Sequence, residues 1–151
     1  RSGSITVDGV DVREATLPSL RATVGLVLDE PFLFSVSIRD NIAYGRADAD
    51  LADIIAAAKA ANAHEFIEQL PMGYDTVVGE RGYTLSGGQR QRLSIARAVI
   101  KNPHIYLLDD SFSALDYSTD SKLRAALHEY AKDATSIESP KLTSGFRDCG
   151  S

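Results

Sequence analysis

The segment from Ile105 to Asp110 constrains the fold of this chain more than any other. It is a continuous apolar run, Ile-Tyr-Leu-Leu, closed by two aspartates. A run without polar alternation is typical of a strand buried on both faces of a parallel sheet, and parallel strands need long crossover connections, usually helices. Apolar residues at helical spacing come just before it, at Leu93, Ala96, Val99 and Ile100. The sequence therefore predicts an α/β fold.

Other apolar patterns predict the remaining elements. Two short β runs from Ser4 to Val12 surround Asp8-Gly9, which is typical of a hairpin. The run from Val24 to Leu28 predicts a further buried strand. Three sets of residues have helical spacing: Leu51, Ile54, Ile55 and Ala58, with Asp48 or Asp50 as N-cap; Phe66, Ile67 and Leu70; and Leu123, Ala126, Leu127 and Tyr130.

Composition narrows the class of protein. The chain has 151 residues, 44% of them hydrophobic, and a net charge of −5. This acidic balance is opposite to that of proteins that grip nucleic acid phosphates, so no nucleic acid partner is expected. Cys149 is the single cysteine, which suits a reducing compartment, and no apolar run approaches the roughly 18 residues of a membrane span. We therefore expect a soluble, cytosolic domain.

The segment from Leu85 to Gln89, Leu-Ser-Gly-Gly-Gln, directly precedes a well-patterned helix. Ser86 and Gln89 have the spacing of a capping box, which alone would make this a well-capped structural helix. That interpretation leaves Gly87 and Gly88 unexplained, because glycine in a helix costs up to about 1 kcal/mol relative to alanine. Bare amides and a serine hydroxyl at a helix N-terminus also favour a phosphate site. Both interpretations stay open on this segment alone.

The acidic pair Asp109-Asp110 ends the apolar strand, where α/β proteins place ligands. Asp109 there is suited to a Mg²⁺-bound water beside a nucleotide. A strand that simply ends at a polar loop is the alternative. The pair, however, follows the glycine-capped helix and precedes Ser113-Ala114-Leu115-Asp116, and three such features in this order favour a nucleotide site.

At this point the sequence resembles a known family, the ATP-binding cassette (ABC) ATPases, from about Gly3 to Ile137. Leu85 to Gln89 resembles their signature motif, Ile105 to Asp109 their Walker B strand, and Ser113 to Asp116 their D-loop. The resemblance implies a partial P-loop NTPase core with a helical signature subdomain.

Two further segments resemble exporter-type members. Gly79-Glu80-Arg81-Gly82 is similar to the loop before the exporter signature, and residues 31–42 are similar to the exporter Q-loop region. Related ATPases of chromosome maintenance, DNA repair or translation are weaker matches because they lack this context. The resemblance thus implies the ATP-binding domain of an exporter that powers transport across a membrane.

The chain departs from the family pattern in four places. No lysine follows a glycine, so the P-loop G-x-x-x-x-G-K-[ST] is absent. The Q-loop glutamine aligns with Asp29 and the catalytic glutamate with Asp110. The switch histidine is missing after a strand expected to begin near Ala134 to Ile137. The family's P-loop and switch strands lie centrally in its sheet. A chain that lacks them is expected to expose apolar edges beside Ile105 to Leu108.

The two internal substitutions resemble the degenerate half of a heterodimeric exporter. Aspartate is one methylene shorter than glutamate, and a misplacement of about 1 Å can cost roughly 10²-fold in rate. Asp110, at the catalytic position, would therefore polarise water poorly. In such heterodimers one composite site hydrolyses ATP and the other binds it with little turnover.

The resemblance also implies ligands and partners. The cofactors are ATP and Mg²⁺, with Asp109 serving the metal. A second nucleotide-binding domain would pair head to tail, and a membrane-spanning domain would hold the chain at the cytoplasmic face of the cell membrane. Asp116 would couple the two composite sites, and Asp29 with Glu80-Arg81 would face the cytoplasmic loops of the membrane domain. The implied nucleotide-binding positions are Ser86, Gly87, Gly88, Gln89, Asp29 and Asp116.

The segments divide into four regions. Residues 1–47 are expected to form a partial core with the hairpin and Q-loop region, and residues 48–100 the helical signature subdomain. Residues 101–137 would return to the core, and residues 138–151 would form an irregular tail. The alternative function is a nonhydrolysing regulatory or interaction module derived from an ABC ATPase.

Overall fold

A computed structural model describes residues 3–28, 31–79, 84–109, 115, 117–130 and 132–139 of the chain. The strands are β1 Thr6–Val7, β2 Val10–Asp11, β3 Val24–Val27, β4 Ile105–Asp109 and β5 Thr135–Ser139. The helices are α1 Leu17–Thr23, α2 Ile38–Ala43, α3 Leu51–Ala60, α4 His64–Glu68, α5 Gly87–Ile100 and α6 Tyr117–Tyr130. A 3₁₀ turn spans Gly73–Asp75. Within these ranges no helix is both long enough and apolar enough to span a membrane.

The central sheet has three parallel strands in the order β3-β4-β5. This confirms the predicted α/β class and the expected strand after Ala134. The expectation of open edges beside Ile105 to Leu108 is wrong, because β4 is the central strand and pairs with β3 on one side and β5 on the other. β5 continues to Ser139, two residues into the segment predicted as an irregular tail.

Only one face of this sheet is well covered by the described residues. Val27, Tyr106 and Leu108 point to that face and are buried, since α5 packs against β3 there. Leu26 and Ile137, which lie in register across Leu107 on the opposite face, are 55% and 54% exposed. The strand from Ile105 to Leu108, predicted to be buried on both faces, is fully buried on one face only, since Ile105 and Leu107 are half-buried on the other. Strand side chains alternate, and the described helices cover a single side.

The exposed row across the sheet predicts that the isolated chain self-associates. Parallel sheets are normally covered on both faces, and a contiguous apolar surface favours association. At chain concentrations on the order of tens of micromolar, sedimentation velocity should show dimers or larger species. The double variant Leu26→Lys, Ile137→Lys should shift the chain towards monomer. A stable wild-type monomer with a sharp, high-temperature unfolding transition would contradict this prediction.

The hairpin and the first predicted helix form as expected. β1 and β2 are antiparallel, and their turn places Asp8 and Gly9 at φ 50° and 81°, the left-handed region that tight hairpin turns require. α3 begins after Asp50, whose Oδ1 accepts a hydrogen bond from the Asp53 amide at 2.8 Å. Of the two predicted N-caps, Asp50 is therefore the one used.

The core lies between α2, α3 and α5, which contact one another in all three pairs. α5 contributes the buried residues along one side of the helix, and α6 adds Leu123 and Leu127. The fully or nearly fully buried side chains of this core include Ile38, Ile42, Ile54, Ala58, Leu93, Ile95, Ala96, Val99 and Leu123.

Candidate functional site

The N-terminus of α5 is closed by a complete capping box. Ser86 has extended backbone, with φ −64° and ψ 160°, and its Oγ accepts a hydrogen bond from the Gln89 amide at 3.1 Å. The Gln89 Oε1 accepts in return from the Ser86 amide at 2.9 Å. The predicted box is thus confirmed. These two bonds satisfy two of the donors that a helix start leaves unpaired.

Gly87 and Gly88 are the first two residues of α5, and their amides remain available. Helix geometry gives N–H groups in the first turn no acceptor in the helix, and the described residues supply none. Ser86 is exposed and both glycines are only partly buried, so solvent reaches this end. The positive end of the helix dipole adds to the donors. The arrangement is suited to an anion with several acceptor oxygens.

Two arginines hold the backbone around these glycines. Arg90 Nη1 donates to the Leu85 carbonyl at 2.9 Å, just before the cap. Arg92 Nη1 donates to the Asn62 carbonyl at 2.9 Å, and its guanidinium lies over the Phe66 ring, 4.7 Å from the centroid. The helix start is therefore braced against the loop before it and against the end of α3. This bracing holds the amides in place before a ligand arrives.

Asp109 is the last residue of β4 and is exposed at the carboxyl edge of the sheet. β3 and β5 run parallel to β4, so their carboxyl ends meet at the same edge. No cluster of three or more metal-ligating side chains occurs within the described ranges. A single exposed carboxylate still fits Mg²⁺, which keeps several waters and uses one or two protein carboxylates with substrate phosphates.

Three predicted site residues lie outside the described residues: Asp29, Asp110 and Asp116. The loop residues Glu80 and Arg81 are also outside them. The structure brings Ser86, Gly87, Gly88 and Gln89 together at one helix end and places Asp109 at the sheet edge.

Gln91 joins α5 to the carboxyl end of β3, and the sequence analysis missed it. It lies on the buried face of α5, has no exposed surface, and its Nε2 donates to the Leu28 carbonyl at 3.2 Å. Leu28 directly follows β3 at the carboxyl edge of the sheet. Gln91 Oε1 is buried and has no hydrogen-bond partner among the described residues. The sequence signal that could have indicated this role is a glutamine on the apolar face of the helix that follows the capping box.

A second connection from α5 uses Arg97 and Asn41. Arg97 donates from Nη1 to the Phe32 carbonyl at 3.0 Å, from Nε to the Asn41 carbonyl at 2.9 Å, and from Nη2 to Asn41 Oδ1 at 3.0 Å. Asn41 is 1% exposed, and its side chain also accepts from the Phe34 amide and donates to the Phe34 carbonyl, both at 2.9 Å. Burial lowers the pKa of Arg97 from its ordinary value.

Arg97 therefore organises the segment after Phe32 through hydrogen bonds from its guanidinium. No ion pair with a carboxylate is found for it within the described ranges. Sequence patterns did not indicate this role, since the partners lie 56 and 65 residues away along the chain.

The chain is similar to known proteins over most of its length. The ABC transporter family model matches residues 1–113 of the chain. The putative multidrug export ATP-binding/permease protein YgaD of Bacillus subtilis is 54% identical over 136 residues, which are 90% of this chain and 23% of that protein. ABC transporter B family member 19 of Arabidopsis thaliana is 52% identical over 90% of this chain and 11% of its own length.

A solved structure of a bacterial Atm1-family ABC exporter with ATP bound superposes with a TM-score of 0.85 and 47% identity. The match covers 91% of this chain and 24% of that one. The chain thus spans about a quarter or less of these relatives. It belongs to the ABC transporter family, as an exporter-type nucleotide-binding domain.

Proposed function

We propose that this chain is the ATP-binding part of an ABC exporter that uses ATP hydrolysis to power transport across a membrane. The open, capped start of α5, with its free Gly87 and Gly88 amides, is the observation that carries this proposal. The 54% identity to a protein named as a multidrug export ATP-binding/permease protein supports the export function. The chain would work at the cytoplasmic face of the membrane that holds its permease part.

ATP and Mg²⁺ are the proposed ligands. The described residues fit the phosphate oxygens of the nucleotide and the waters bound to the metal. Gly87 and Gly88 would donate their amides, and Ser86 its hydroxyl, to phosphate oxygens of a nucleotide. Asp109 would accept hydrogen bonds from waters of the metal, which neutralises charge on the phosphates when bound. Gln89 would keep the cap closed, so that the amides stay aligned during binding.

The proposed partners are a second nucleotide-binding domain and a membrane-spanning domain. In a head-to-tail pair the signature residues of this chain face the P-loop of the partner domain, and Asp109 and Asp110 belong to the other composite site. Asp116 would couple the two sites, and Asp29 would face the cytoplasmic loops of the membrane domain. Aspartate at positions 29 and 110 supports a degenerate half of a heterodimer. At position 110 the carboxylate reaches less far than that of glutamate, and at position 29 a shorter, charged side chain replaces the amide of glutamine.

A purified transporter that contains this chain, reconstituted in liposomes, tests the proposal directly. Phosphate release should depend on ATP, stop on chelation of Mg²⁺ and accompany movement of a transported compound. A transporter that moves its compound equally well without ATP would contradict the proposal.

The alternative is a nonhydrolysing regulatory or interaction module derived from an ABC ATPase. Asp110 favours it, because this residue stands where the family has its catalytic glutamate and its shorter carboxylate would polarise water poorly. A transporter-free complex that contains this chain, binds nucleotide and releases no phosphate would support the alternative.

We expect the chain by itself to bind ATP·Mg²⁺ weakly and to show no measurable turnover. A P-loop supplies most phosphate contacts through its amides and lysine, and this sequence has none. Calorimetric titration of the isolated chain should therefore give a Kd weaker than about 1 mM, or about −4 kcal/mol. Micromolar affinity for ATP would contradict this prediction.

A further inference from the structure

One helix holds the backbone on both sides of the segment between Leu28 and Phe32. Gln91 of α5 donates to the Leu28 carbonyl, and Arg97 of the same helix donates to the Phe32 carbonyl. Both acceptors are backbone atoms more than 60 residues away along the chain. The helix that begins with the signature glycines is thus attached to the end of β3 and to the segment that follows it.

Packing alone does not explain why position 91 carries an amide. Gln91 is completely buried, and its Oε1 lacks a partner among the described residues. A buried acceptor without a hydrogen bond is unfavourable, and a leucine or methionine would fill similar space without that oxygen. The favourable part of this side chain is its Nε2 bond to Leu28. The amide therefore serves the connection between α5 and β3.

This connection lies close to the N-terminus of α5, where the phosphate site is proposed. At about 1.5 Å of rise per residue, Gln91 is about 6 Å along the axis from Gly87. The Leu28 carbonyl is at the carboxyl edge of the sheet, the edge at which Asp109 ends β4. The hydrogen bond from Gln91 to Leu28 therefore ties the start of α5, with its signature glycines, to the sheet edge that carries Asp109.

We propose that Gln91 is a positioning residue for ATP hydrolysis, which sets the placement of the signature helix relative to the carboxyl edge of the sheet. The inference rests on the proposed function, in which this chain gives its signature to one composite site and Asp109 to the other. Both sites can close together only when this spacing is correct. A misplacement of about 1 Å is enough to cost roughly 10²-fold in rate.

Gln91→Leu in the complete transporter is the main test, and Gln91→Met is the second variant. Both keep the side-chain bulk and remove the donor to Leu28. We expect kcat for ATP hydrolysis to fall about 10-fold or more while KM for ATP changes less than about 3-fold, because the P-loop holds most of the nucleotide. Gln69→Leu, the same change at an exposed position, is the control and should leave both parameters unchanged.

Hydrogen exchange of the same transporters gives a readout that does not need turnover. Amides of residues 24–28 and 86–90 should exchange faster in Gln91→Leu, and those of residues 51–60 in α3 should not. A purely structural role would instead lower the melting temperature and raise exchange throughout the helices without separating kcat from KM.

Three outcomes decide the inference. Normal kcat in both Gln91 variants overturns it. Reduced kcat with local exchange changes supports it. A wild-type transporter that hydrolyses no ATP removes the proposed function, and unchanged exchange at residues 24–28 and 86–90 would then overturn the positioning role by itself.

Discussion

Gly87→Asp in the complete transporter is expected to remove nearly all ATPase activity. The substitution places a carboxylate beside the amides that would meet a phosphate. Two like charges about 4 Å apart repel by about 4 kcal/mol at an effective dielectric constant of 20, which corresponds to a loss of about 10³-fold. Steady-state phosphate release from the purified complex measures the loss.

Unfolding does not account for that loss. Gly87 is the first residue of α5, where an acidic side chain is favoured by the helix dipole, so the helix itself should be as stable or more so. Gly3→Asp makes the same chemical change where no atom lies within 4 Å of the added Cβ, and it should retain activity. A Gly87→Asp complex with normal turnover would contradict the assignment of the α5 start to phosphate.

Asp110→Asn in the same complex is the matched comparison for the degenerate site. If Asp110 lies in a composite site with little turnover, its loss should cost less than about 3-fold, since the other site carries hydrolysis. The two variants measured together separate the roles of the two composite sites. Equal damage from Asp110→Asn and Gly87→Asp would show that the heterodimer hypothesis is wrong.

Local sequence patterns predicted most of the elements. The runs at Val24 and Ile105, the hairpin turn and the spacing on α3 and α5 depend on neighbours a few residues apart, and each is found in the structure. α1 and α2 were not predicted. α1 buries no residue, so its sequence shows no apolar face, and most of α2 falls in the segment that was assigned to the Q-loop region. The half-covered sheet was also missed, since a continuous apolar run does not reveal which face is covered.

The candidate site was predictable only where its chemistry is local. The capping box of Ser86 and Gln89 follows from a spacing of three residues, and Asp109 follows from its place at the end of an apolar strand. The bonds from Gln91 and Arg97 join residues 56 to 65 positions apart. Such contacts depend on how α5 packs against β3 and α2, which no local pattern specifies.

Gly45→Ala should destabilise the folded chain more than any other glycine-to-alanine change among the described positions for which the space around an added Cβ is known. Gly45 follows α2, and a Cβ there would lie 2.2 Å from the Arg97 carbonyl oxygen and 2.9 Å from Ile100 Cγ2. The first contact is with helix backbone, so α2 and α5 would have to separate. Overpacking of this kind costs about 3 kcal/mol or more, a large part of the stability of a small domain.

Two other glycines make the prediction a graded one. At Gly25 an added Cβ would lie 2.7 Å from Pro103 Cγ, a ring atom that can move a little by a change of ring pucker, whereas at Gly3 it would meet nothing within 4 Å. Urea unfolding of the chain, followed at one protein concentration, should therefore rank the losses as Gly45→Ala, then Gly25→Ala, then Gly3→Ala, the last within about 0.5 kcal/mol of wild type. A Gly45→Ala chain as stable as Gly3→Ala would mean that α2 and α5 do not approach as closely as the structure places them. The connection from Arg97 to Phe32 and Asn41 depends on the same approach, so it would have to be revised as well.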